Sequence, residues 1–106
     1  MERKEPEQEP FRVRLPRQNQ VLGIVEQRLG ASRMRVTCFD GLIRICRIPG
    51  KLKRSLWVRE GNVVLVEPWE LNQKDRGDIV FKYTTSQVTW LKNKGYLKQV
   101  EEAEEF

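Results

Sequence analysis

The chain of 106 residues predicts an all-β domain. It should be a five-stranded barrel with a short helical segment between its third and fourth strands and an α-helix packed on it at the end. Three observations predict this. Five short stretches rich in β-branched and bulky residues are separated by Gly, Pro and Asp-Gly turn signals. One break in the series, residues 51–57, is basic and carries Leu52 and Leu56 four apart, the spacing of a helix face. After the fifth stretch the pattern changes to helix-start and helix-stop residues.

The first strand is expected over residues 20–29, where Val21, Leu22, Ile24 and Val25 surround Gly23, a glycine suited to a bend or a close backbone approach. Gly30, Ala31 and Ser32 form a short turn. Residues 34–39 and 42–48 make a hairpin about Asp40-Gly41, a dipeptide that supplies positive φ. A two-residue turn there sets Phe39 opposite Leu42, Cys38 opposite Ile43, Val36 opposite Ile45 and Arg35 opposite Cys46. One face then carries Met34, Val36, Cys38, Ile43 and Ile45 and is core. The other carries Arg35, Thr37, Phe39, Leu42, Arg44 and Cys46, a mixture suited to phosphates and bases. Pro49-Gly50 ends the third strand. The fourth is residues 62–67, closed by Pro68. A polar loop, 69–77, precedes the fifth, 78–83, with Ile79, Phe81 and Tyr83 on one face.

The helix signals agree with one another. Thr84 and Gln87 form a capping box, and Tyr83 with Val88 a hydrophobic staple. Gly95 stands at the left-handed C-terminal position, and Val88 and Leu91 define the buried stripe. Residues 11–17 alternate basic and apolar up to Pro16 and fit either an edge strand or an arm lying on a partner. Five short strands with a helical break after the third are the layout of an OB-fold, with an SH3-like barrel as the competing arrangement. The expected organisation is an acidic, unstructured tail at 1–10, the barrel at 11–84, the helix and its extension at 85–98, and a second acidic tail at 99–106.

Charge is unevenly spread. The whole chain carries +5. Residues 11–100 hold eighteen of the twenty bases and seven of the fifteen acids, a balance of +11. That excess on a small domain points to a polyanion. Without histidine there is no ordinary triad and no imidazole base. Gly50-Lys51-Leu52 has leucine where a phosphate loop needs Ser or Thr. Two cysteines placed on different faces argue for free thiols in a reducing cytosol, and they are too few for a zinc site. No cofactor or metal is expected. No apolar leader or long apolar run suggests export or a membrane span.

An OB-fold offers nucleic acid its second and third strands and the one–two and four–five loops. Those places are basic here. Arg33 ends the one–two loop; Arg35, Phe39, Arg44 and Arg47 lie on the second and third strands; Lys74 and Arg76 lie on the four–five loop; and Lys51, Lys53 and Arg54, with Trp57 after them, fill the three–four segment. Trp57 suits core filling and base stacking equally, whereas Trp69 and Trp90 read as packing.

Cys38-Phe39-Asp40-Gly41, Arg44, Cys46, Ile48, Gly50-Lys51-Leu52 and Trp57 together resemble the central signature of the translation initiation factor 1A family in its short archaeal form. Residues 12–17, Val21-Leu22-Gly23 and residues 26–30 are similar to the family's entry. Pro68-Trp69-Glu70, Asp78-Ile79, Tyr83, Gln87-Val88, Trp90-Leu91-Lys92 and Gly95-Tyr96-Leu97 are similar to its close. The resemblance covers about residues 11–98. It departs at Ser55, where the family often has another base, and at Asn62, where an acid is common.

The resemblance implies an S1-like OB-fold that is no enzyme. It implies a cytoplasmic monomer that sits in the decoding (A) site of the small (30S) ribosomal subunit on rRNA, supports initiator tRNA indirectly, works beside other initiation factors and promotes subunit dissociation. RNA-facing positions implied by it are Arg33, Lys51, Lys53, Arg54 and Trp57. The rival expectations are a generic single-strand binder or RNA chaperone, and a protein-interaction module working through its acidic tails.

Overall fold

The computed structural model describes residues 13–53, 55–70 and 73–97. The elements in order are β1 (Val21–Gly30), β2 (Arg33–Cys38), β3 (Ile43–Arg47), a 3-10 turn (Gly50–Leu52), β4 (Val63–Pro68), β5 (Arg76–Lys82) and α1 (Thr85–Asn93). The strands close into a barrel in the order β1-β2-β3-β5-β4, with every pair antiparallel except β3 with β5. This is the OB-fold arrangement. The acidic tails and Arg54 lie outside the described residues.

The barrel has two apolar layers because β4 is buried on both faces. Val64 and Val66 point inward, where they meet Val25, Met34, Val36, Cys38, Cys46 and Ile79. Val63 and Leu65 point outward, where Leu22, Tyr83, Leu91 and Leu97 cover them. A continuous apolar run is what a strand covered on both sides requires. Leu52 and Leu56 plug the inner layer from the segment after β3. Val13 packs on the outer layer, and the Tyr83 hydroxyl donates to the Arg14 carbonyl. Residues 13–17 therefore lie along the barrel and form no strand.

α1 is held at both ends as its residues predict. The Gln87 N–H donates to Thr84 Oγ1 at 3.2 Å, and the Thr84 N–H donates to Gln87 Oε1 at 2.8 Å. At the other end Gly95 has φ +88°, and the Tyr96 N–H reaches the Leu91 carbonyl at 3.0 Å. Leu91, fully buried, is the side chain that seats the helix on β4.

Gly23 sits where β1 bends against β2. A Cβ there would lie 2.6 Å from Val36 Cγ1 and 3.1 Å from the Thr37 carbonyl oxygen. The β1–β2 connection is a two-residue turn with Ala31 (φ 51°) and Ser32 (φ 61°) both left-handed.

The β2–β3 register differs from expectation by one residue. Cys38 faces Leu42 across a three-residue loop: the Cys38 N–H donates to the Leu42 carbonyl at 2.9 Å, and the Gly41 N–H to the Cys38 carbonyl at 3.1 Å. Gly41 has φ +94°, whereas Asp40 is not left-handed. Asp-Gly serves this turn-plus-bulge loop as well as the two-residue turn. A one-residue slip moves every β3 side chain to the other face. Ile43 is therefore outside and 56% exposed, while Arg44 is inside and 4% exposed. A second correction lies on β5. Leu65 pairs with Phe81 and Val66 with Ile79, leaving Val80 as a bulge. Ile79 thus enters the barrel, and Phe81 and Tyr83 turn to the helix side.

The same slip places both cysteines inside the barrel, not on different faces; both are free. Burial pushes the Cys46 thiol up to about 12. Burial also raises Cys38, against the lowering effect of Arg44. Only the thiolate reacts. The native protein is therefore expected to resist an added aromatic disulfide reagent at pH 8 until denaturant exposes both thiols. Prompt labelling of either without denaturant contradicts this placement.

Candidate nucleic-acid interface

Four elements converge on one groove of about 470 Å³. The β1–β2 turn brings Ala31 and Ser32 and leads to Arg33 at the start of β2. The end of β3 brings Arg47, the 3-10 segment brings Gly50 and Lys53, and the start of β5 brings Arg76. Trp69, just after β4, forms part of the wall. Arg33 and Arg47 are direct partners across β2 and β3. Like charges so placed repel unless an anion lies between them or solvent screens them. Lys51 is exposed on the 3-10 turn and is not among the residues that line the groove.

Arg47 is pre-set. Its Nε donates to Asp78 Oδ1 at 3.1 Å, and its guanidinium lies over the Trp69 ring, 4.9 Å from the centroid. The same Asp78 oxygen accepts from Trp69 Nε1 at 3.0 Å. One carboxylate thus fixes both the ring and the arginine stacked on it. Among the described residues the two Nη groups of Arg47 have no hydrogen-bond partner, which leaves a planar fork suited to a phosphate. Trp69, read from the sequence as packing, belongs to this wall. Its signal was its place immediately after a strand ended by Pro68, at the mouth of the four–five loop.

The other expected residues are distributed as follows. Arg35, half-buried, donates to Gln27 Oε1 on the outer face of β1–β2. Lys74 is exposed on the β4–β5 loop. Trp57 is 75% exposed, so it is not a core filler. Its carbonyl accepts from Lys82 Nζ at 2.7 Å. Phe39 packs partly on the outer apolar layer and lines a smaller groove with Pro16, Leu22 and Tyr96, apart from the cationic one. Arg54 lies outside the described residues. Arg44 is corrected outright: its guanidinium is inside the fold, bonded to Asp40 and to the Lys74 carbonyl, and presents nothing to a ligand.

Among the described residues no three His, Cys, Asp or Glu side chains are grouped to hold a metal ion. No described helix is long and apolar enough to cross a membrane.

The family model for translation initiation factor 1A / IF-1 matches residues 11–105. The chain belongs to this family. It is 60% identical over 94 residues to translation initiation factor 1A of Methanococcus aeolicus, covering 87% of this chain and 90% of that one. It is 54% identical over 98 residues to translation initiation factor 1A of Pyrococcus abyssi, covering 92% and 87%. A solved structure of translation initiation factor IF-1, from the Wolbachia endosymbiont strain TRS of Brugia malayi, is 31% identical. It gives a TM-score of 0.49, covering 63% of this chain and 79% of that one. Family membership makes this an initiation factor of a non-enzymatic kind and implies binding to the ribosome's small subunit.

Proposed function

We propose that the chain binds the small ribosomal subunit at its decoding (A) site through rRNA, supports initiator tRNA in the neighbouring site, and promotes separation of the subunits. It does so by occupancy and without bond-making, as a cytoplasmic monomer beside other initiation factors. The observation that carries this reading is the groove in which Arg33, Arg47, Lys53 and Arg76 converge from separate elements around a fixed tryptophan. Folded RNA offers phosphates at close spacing together with exposed base edges, and a rigid cationic groove with an aromatic wall matches both. Coupling to initiator tRNA is reciprocal, so each ligand changes the other's affinity by the same factor.

Sedimentation with isolated 30S and 50S subunits over a salt series tests the proposal. Binding is expected to 30S and not to 50S. Four phosphate contacts give a log–log salt slope of about −3 to −4, or about a hundredfold loss between 50 and 200 mM salt. A flat salt response, or equal binding to 50S, defeats it.

The exposed indole of Trp57 favours a second reading, a generic single-strand binder that stacks bases. That reading requires unstructured oligonucleotides to bind as tightly as 30S subunits.

A further inference from the structure

We propose that Arg44 is a positioning residue for the RNA surface, a brace inside the barrel that fixes the β4–β5 loop and with it Arg76. The proposal rests on the groove being the RNA interface. Arg44 is the one charged side chain among the described residues that is buried. Its Nη1 and Nη2 grip Asp40 Oδ1 and Oδ2 at 3.1 and 2.9 Å, at the tip of the β2–β3 hairpin. Its Nε donates to the Lys74 carbonyl at 2.8 Å. One guanidinium thus ties together two loops that are 30 residues or more apart in the chain.

The loop it grips runs straight into the groove. The Asp75 carbonyl accepts from the Ile45 N–H at 2.8 Å, Arg76 is the direct partner of Ile45, and Arg76 lines the groove. The Trp69 N–H donates to the Arg76 carbonyl at 3.0 Å, so the same short stretch also seats the aromatic wall. A buried charge must be paired, and the fork geometry of arginine lets one side chain satisfy a carboxylate and a carbonyl together. Burial alone would raise the Asp40 carboxyl. The Arg44 fork and the Leu42 N–H outweigh it and hold the group below its ordinary value. The charged and titratable groups facing Arg44 are Asp40 and the Cys38 and Cys46 thiols. Lysine keeps the charge but cannot fork, so Arg44→Lys should release one loop.

Two measurements on the full chain test this. In Arg44→Lys, hydrogen exchange at the Ile45 amide should speed up about tenfold or more, with the Leu65 and Ile79 amides unchanged. Asp40→Asn, which leaves Arg44 in place, should give a smaller change of the same kind. Unchanged protection at Ile45 in a folded Arg44→Lys protein overturns the brace. The second measurement is a double-mutant cycle on 30S affinity. Arg44→Lys and Arg76→Ala should each weaken binding about fivefold, and the double variant should be no weaker than Arg76→Ala alone. Losses that multiply mean that Arg44 acts on RNA by another route, which refutes the proposal. If Arg76→Ala binds normally, the interface reading falls, and the exchange data still decide whether Arg44 braces the loop.

Discussion

Replacing Arg33, Lys53 and Arg76 together with glutamate is expected to abolish 30S binding while leaving the fold intact. Arg33 and Lys53 are exposed and Arg76 is half-buried at the groove. Among the described residues none of the three has a side-chain hydrogen-bond or ion-pair partner in the fold. Each reversal removes one attraction to phosphate and adds one repulsion. At about 1 kcal/mol per contact across 4 Å of water, three reversals amount to about 6 kcal/mol, or about ten-thousandfold in affinity. Sedimentation at 100 mM salt reads the loss, and circular dichroism checks the fold. Retained binding would move the RNA surface elsewhere. The matching control removes residues 1–10 and 101–106. On the groove reading binding survives that truncation; loss would favour the tail-driven protein-interaction module.

The second large effect is on stability. Gly23→Ala should lower stability by about 2–3 kcal/mol, the upper part of the usual range for overpacking a filled core. Gly23→Val should prevent folding near room temperature. The added carbon would meet a Val36 methyl that is itself fully enclosed and a strand carbonyl that cannot retreat. For a domain of this size the alanine variant should lose about 10–20 °C in Tm, measurable by calorimetry at pH 7. Gly50→Ala is the control, because nothing lies within 4 Å of a Cβ there and it should change little. Equal melting temperatures for the two variants would show that β1 and β2 are not in such close contact at Gly23.

Strand count, the helix with both its caps, and the basic character of the groove were all legible in the residues. Their signals are local: apolar stretches bounded by turn residues, Thr84 with Gln87, and Gly95 before Tyr96. What failed was register. Asp40-Gly41 announces a turn but not whether two or three residues make it, and that single count decided the side on which Arg44, Ile43 and Cys46 lie. The bulge at Val80 escaped for a similar reason, since nothing in Ile79-Val80-Phe81 says which residue is skipped. The groove was half legible. Each base could be placed on an element, but the meeting of four elements around Trp69 depends on barrel closure, which no local pattern encodes.

The strand order has a consequence for how the chain acquires its shape during synthesis. β1, β2 and β3 can zip together as neighbours in sequence, but β5 is inserted between β3 and β4. Until residue 82 has been made, two strands of a very basic nascent chain keep bare edges, in the company of the RNA-rich machine that is making it. Slow, late closure is the expected kinetic signature of a sheet whose last seam joins distant segments. Truncations ending before β5 should therefore be prone to self-association, not stable as smaller barrels.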